Sequence, residues 1–256
     1  MFAAATIPTL MKRAIILTLA LSIAWATRAQ TIIDKTLPVQ KGQTVLLYFD
    51  YPELVRVTTW DKNEVSIHGS VSINTGENDD AFELSTATNG NTVTVRSQIK
   101  DMKNLPHRTT IIDGGKKITF RTQADYKKYQ QETGRSGFEM VSMGVDMEII
   151  IDIKVPRNVE TRVESVYGMV EIKSFDGPLV VAATYGGVDA ALTERSVGQI
   201  EAETNYGEIY TNFDARFSSG SGEENFHLVV SAKPGTGPKY AFESKYGNVY
   251  LRKAVN

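Results

Sequence analysis

Four segments in the last third of this 256-residue chain share a tyrosine-glycine core followed two residues later by an aliphatic side chain. They are Tyr167-Gly168 with Val170, Tyr185-Gly186 with Val188, Tyr206-Gly207 with Ile209, and Tyr246-Gly247 with Val249. The tyrosines are separated by 18, 21 and 40 residues, the last interval being close to two periods. A repeat of about 20 residues that is β throughout cannot bury a face alone, so each copy must lie on its neighbours. The expected fold is therefore a β-solenoid in which each segment lays down one rung. The long interval would hide a skipped rung near Phe226-His227-Leu228-Val229-Val230.

Stacked strands repeat at about 4.8 Å, so equivalent residues of successive rungs should form ladders. Gly168, Gly186, Gly207 and Gly247 are expected to supply a positive φ or a bulge at a corner, where other residues are strained. Val170, Val188, Ile209 and Val249 should point inward as an aliphatic ladder. The four tyrosines should form an aromatic ladder beside the corner. Buried, they would be structural; exposed on a flat face, they would offer a platform to sugar rings or a protein partner.

The rest of the chain divides by pattern. Residues 30–99 read as strands, with period-two alternation at Val55/Val57, Val65/Ile67, Val71/Ile73 and Val93/Val95 and turn residues such as Asn89-Gly90-Asn91 between them. Residues 100–143 break this pattern with many charges and Gly114-Gly115, and read as a polar insertion. Within it, Gln123–Thr133 could form a short polar helix or stay mobile. Alternation resumes over residues 145–155, ended by Pro156, and the repeats then occupy residues 144–256 as one continuous domain with the N-terminal part.

Residues 1–29 read as an export signal rather than part of the fold. Lys12 and Arg13 precede a 13-residue apolar run at 14–26, and small residues lead to Ala29 before Gln30. Translation is expected to start at Met11, with cleavage before Gln30 or, as an alternative, before Thr27. The apolar run is shorter than the roughly 20 residues that span a bilayer, so no membrane insertion is expected after cleavage. The chain has no cysteine. That excludes a lipid-anchored cysteine, disulfides, zinc–thiolate sites and thiol nucleophiles, and it leaves an extracytoplasmic protein that relies on its hydrophobic core. Beyond residue 29 the chain carries 25 basic against 30 acidic residues. This mild acidity argues against a nucleic-acid partner, which needs a basic face.

Catalytic and metal-binding patterns are thin, and no cofactor is expected. His68, His107 and His227 each lack a second ligand at helical or hairpin spacing. Asp79-Asp80 beside Glu77, and Glu223-Glu224, read as solvated loop charges more readily than as calcium ligands. Ser219-Gly220-Ser221-Gly222 lacks the flanks of a nucleophile elbow and reads as a turn.

Three stretches carry a resemblance: Leu37 to Val45 (LPVQKGQTV), Val55 to Val65 (VRVTTWDKNEV), and the Tyr-Gly-x-Val/Ile rungs. Together they resemble the bacterial putative-adhesin families of unknown function, over roughly residues 31–99 and 145–251. The resemblance implies a right-handed β-helix-like or solenoid fold and an extracytoplasmic surface role. Three functional classes follow. The first is a noncatalytic adhesin-like module binding a glycan or an envelope or surface protein. The second is a polysaccharide-active β-helix enzyme, for which Glu164, Glu171, Asp189 and Glu208 would have to converge. The third is an envelope sensor or structural protein acting through a partner.

Overall fold

The computed structural model describes residues 30–220 and 227–254. The expected signal segment, the Glu223-Glu224 pair and Phe226 lie outside the described residues. The first half forms β1 (Thr31–Pro38), β2 (Thr44–Phe49), β3 (Leu54–Trp60), β4 (Glu64–Ile73), β5 (Phe82–Asn89) and β6 (Thr92–Ile99). An excursion follows, with β7 (Arg108–Asp113), β8 (Lys116–Phe120), helix α1 (Gln123–Thr133) and β9 (Met140–Gly144). The remainder comprises β10 (Met147–Pro156), β11 (Thr161–Ser165), β12 (Met169–Lys173), β13 (Leu179–Ala183), β14 (Val188–Leu192), β15 (Gln199–Thr204), β16 (Ile209–Thr211), β17 (Ser218–Gly220), β18 (Leu228–Ala232), β19 (Lys239–Ser244) and β20 (Val249–Lys253).

Two large mixed sheets face each other across one core. The first runs β1-β4-β10-β3-β12-β14-β20-β16 and the second β17-β18-β15-β19-β13-β11-β2-β6-β5. Alternation in the sequence becomes alternation in burial, as in β2, where Val45, Leu47 and Phe49 point inward while Thr44, Leu46 and Tyr48 do not. Five strand pairs, β2/β3, β11/β12, β13/β14, β19/β20 and β15/β16, repeat one unit: a strand in the second sheet, a turn, then a strand in the first. Each strand of a pair runs parallel to its counterparts in neighbouring pairs. The inward ladder Val55–Val170–Val188–Val249 is wholly buried and in register. Ile209, on strand β16 at the sheet's edge, is only half-buried.

The continuous solenoid expected from the repeat is not what the chain builds. Strands β1, β4, β5, β17 and β18 pair antiparallel with their neighbours, so the sheets are mixed. Sequence order is not spatial order either. The fourth repeat, β19/β20, lies between the second and the third, β13/β14 and β15/β16. No skipped rung passes near residues 227–230, because β18 there runs antiparallel against the outer side of β15. The physical reason is that the repeats are equivalent surfaces. A later copy fits between two earlier ones as well as beyond them.

The excursion at 100–143 is folded, which makes the protein mostly β rather than all-β. Strands β8-β7-β9 form a small antiparallel sheet. Helix α1 fully buries none of its residues, so capping and a few half-buried aromatic contacts hold it in place. Thr122 caps it by accepting from the Asp125 N–H, while the Asp125 carboxylate accepts from the Thr122 N–H, and Gly134 ends it in the left-handed conformation. Phe120 packs on Tyr126 and Tyr129 at 5.5 and 5.2 Å, holding the helix to the small sheet. The buried Arg108 guanidinium donates to Glu77 at 2.8 Å and ties that sheet to the sandwich. Strands β6 and β10 are in register with β2 and β3, so this excursion replaces the turn that would otherwise join β6 to β10.

Candidate functional site

The turns that carry the chain from the second sheet to the first all lie at one edge of the sandwich, and they hydrogen-bond to one another. The Tyr167 N–H donates to the Asp50 carbonyl at 3.2 Å, Tyr185 to Val166 at 2.8 Å, Tyr246 to Thr184 at 2.9 Å and Tyr206 to Lys245 at 3.1 Å. Each turn is thereby fixed in register on the one before it. The tyrosine side chains follow that register into a single column, Tyr51–Tyr167–Tyr185–Tyr246–Tyr206. Ring centroids are 5.1, 5.0, 5.1 and 5.2 Å apart, and adjacent planes differ by 6 to 18°. Tyr167, Tyr185, Tyr206 and Tyr246 remain 41, 55, 60 and 44% exposed, and Tyr51 is half-buried.

The four glycines serve this column for a reason other than the expected one. Only Gly168 has a positive φ, of 80°. At Gly186, Gly207 and Gly247 the backbone is not left-handed, but a Cβ would collide with the carbonyl of the neighbouring turn: that of Gly168, Gly247 and Gly186 respectively. A Cβ on Gly168 would meet the Pro52 carbonyl in the same way. The turns stack backbone on backbone, and a side chain has no place between them.

Buried hydroxyls two residues before the tyrosines pin the turns from inside. Ser165 Oγ donates to the Tyr167 carbonyl at 2.6 Å, Ser244 Oγ to the Gly186 carbonyl at 2.7 Å, and Thr204 Oγ1 to the Gly247 carbonyl at 2.9 Å. The sequence signal was present in the Ser/Thr-x-Tyr-Gly spelling of three of the four repeats. Tyr51 went unread because Pro52 follows it in place of glycine. A second stacked pair, Tyr210 and Tyr250 at 5.2 Å, lies on the outer face of the first sheet four residues beyond Tyr206 and Tyr246.

The four carboxylates Glu164, Glu171, Asp189 and Glu208 do not share one site. Glu171 and Asp189 are cross-strand neighbours on the outside of the first sheet, where Glu171 meets Arg56 at 3.3 Å and Lys173 at 3.0 Å, and Asp189 pairs with Arg252. Glu164 is on the outside of the second sheet beside Arg162, and Glu208 is exposed in a turn. Asp79 accepts from the backbone N–H groups of Thr31 and Ile73 and so holds a strand end in place. Among the described residues no group of three or more His, Cys, Asp or Glu is placed to hold a metal ion.

The histidines sit apart. His227 pairs with Glu203 at 2.8 Å, His107 is exposed, and His68 Nδ1 lies 2.7 Å from Asp34 Oδ1. The hydrogen bond to Asp34, and then that carboxylate's charge, raise the His68 pKa above its ordinary value. A raised folded-state pKa means the pair supports the fold fully below the ordinary histidine range, and that support is lost as pH rises through the folded-state value. NMR titration of the His68 ring should show this elevation, and Asp34→Asn should return it toward the ordinary value. An unchanged titration would refute the pairing.

Among solved structures, the chain is similar to a putative cell adhesion protein from Clostridium sporogenes ATCC 15579, at 9% identity over 88% of this chain and 99% of that one, with a TM-score of 0.47. It is also similar to a putative adhesin from Bacteroides fragilis NCTC 9343, at 12% identity over 88% of this chain and 98% of that one, with a TM-score of 0.20. No protein-family model and no curated protein matches the chain.

Proposed function

We propose that the protein is an exported, noncatalytic, adhesin-like binding module whose recognition surface is the tyrosine column. The observation that carries this reading is that five stacked tyrosines share one edge of the sandwich while the four on the Tyr-Gly turns stay 41 to 60% exposed. Rings needed for stability alone would contribute more if buried, at about 25 cal/mol per Å² of apolar surface. A contiguous exposed aromatic surface on a folded protein is the usual mark of an interaction site. On this reading the five parallel strand pairs act as a short solenoid-like stack, and their use is to repeat one turn at a constant spacing. Export is supported by the ordered basic, apolar and small-residue segments of residues 11–29. The enzyme alternative has less support, because Glu164, Glu171 and Asp189 are occupied by basic partners on two different faces.

The test is a panel of immobilised glycans and envelope or matrix proteins, probed with the purified protein and two variants. Tyr185→Ala removes the centre of the column, and Tyr210→Ala removes an exposed stacked tyrosine elsewhere. At least one ligand should lose about tenfold or more in affinity with Tyr185→Ala and be unaffected by Tyr210→Ala. Tyr185→Ala also loses two stacking contacts, about 1–3 kcal/mol in all, so binding is measured well below its melting temperature. If no ligand on the panel depends on Tyr185, the column is structural and this reading is wrong.

A further inference from the structure

We infer that the ligand of the column is an extended, neutral chain of β-linked pyranose sugars lying along the tyrosines, one sugar to each ring. This rests on the binding-module reading and names its ligand class. The argument starts from spacing. The ring centroids repeat at 5.0 to 5.2 Å over five rungs, close to the interval that strand pairing imposes on the backbone beneath them. A linear polymer read by such a column must advance by the same length per unit. Pyranoses joined through equatorial bonds form an extended ribbon that advances by about one strand spacing per ring. An extended peptide does not fit, since its same-side residues recur every ~6.6–6.8 Å, which would slip by about 1.5 Å at every rung.

The rings also leave the right surface open. Centroids 5.0 to 5.2 Å apart with planes 6 to 18° from parallel describe a loose stack in which each ring follows the next along the column. The four tyrosines on the Tyr-Gly turns are 41 to 60% exposed, so ring surface stays open along the column. The apolar C–H face of a pyranose suits that open aromatic surface, and its equatorial hydroxyls suit phenol oxygens. Of the residues flanking the column, Asp50, Glu53 and Glu208 are acidic, Lys245 is basic, and Val166 and Met169 on either side of the Tyr167 turn are apolar. That mixture offers no field to attract a polyanion. At the Tyr51 end the excursion at 100–143 takes the place of the next turn, which sets the column at five rings.

Calorimetric titration of the full protein with β-1,4-linked glucose and N-acetylglucosamine oligomers of two to seven units tests this, with α-1,4-linked glucose oligomers of equal length as comparators. Affinity should climb with each added β-linked unit up to about five and level off beyond. The curved α-linked chains should bind about tenfold more weakly at five units. Tyr185→Phe and Tyr246→Phe, which keep the stack, should weaken binding severalfold with no change in melting temperature. Equal affinity for α- and β-linked chains, a plateau at two units, or no binding by any β-linked oligomer overturns the inference. If the panel instead yields a Tyr185-dependent protein or polyanion ligand, this inference falls while the binding-module reading stands. Absence of any Tyr185-dependent ligand removes both.

Discussion

Gly186→Ala is expected to destabilise the protein by at least about 3 kcal/mol, beyond the usual range for adding one methyl group. Gly186 sits in the central turns of the column, and its Cβ would overlap the carbonyl group of Gly168. That carbonyl cannot retreat cheaply. Around it, the Tyr185 N–H is bound to the Val166 carbonyl at 2.8 Å and the Val170 N–H to the Gly187 carbonyl at 2.9 Å. Relieving the clash means spreading two turns and breaking both bonds, each worth about 1 kcal/mol net, in addition to the ring stack. Gly42→Ala is the control, since Gly42 has a φ of +85° but nothing within 4 Å of its absent Cβ. It should lose only the conformational cost of a left-handed residue, about 1 kcal/mol. Urea denaturation separates the two. Similar midpoints for both variants would show that a Cβ at Gly186 fits between the turns, against the close backbone contact described.

What was legible in the sequence was whatever repeats. The Tyr-Gly spacing located the turns, and the residue two places on located an inward ladder at Val170, Val188 and Val249, because period and burial are linked by strand geometry. Rung order was not legible. Tyr206 and Tyr246 carry the same local signals, and nothing in either segment states which will pack against Tyr185. The chain settles that by bringing β19 between β13 and β15 after an excursion through β17 and β18. Tyr51 escaped notice for a related reason. Each glycine is required because its Cβ would point at the preceding turn, and the Tyr51 turn is the first of the column. Pro52 only has to present its carbonyl to Gly168, so the motif loses its glycine where no turn precedes it. The excursion at 100–143 follows no repeat, and its helix is held by a capping box and aromatic contacts that hydrophobic periodicity does not report.

Phe242→Ala should cost about 3–5 kcal/mol and Ile209→Ala markedly less, about 1–2, although both belong to the repeats. Phe242 is 1% exposed on β19, flanked in register by Val181 of β13 and Ala202 of β15, with its ring 6.4 Å from that of Tyr240. The small residue at Ala202 leaves the phenyl ring to fill that part of the core, and its loss opens a cavity which hydrogen-bonded strands on both sides cannot close. Ile209 lies on edge strand β16, half-buried, and surrounding solvent and side chains can take up its space. The position of Phe242 has a second consequence. Strand β19 is the link between β13 and the outer β15, so loosening it should release the outer rung before the inner ones. Hydrogen exchange on Phe242→Ala should show β15 amides losing protection together with those of β19, while β2 and β11 remain protected. Uniform loss of protection across the second sheet would mean that the late-inserted strand is not a separate seam.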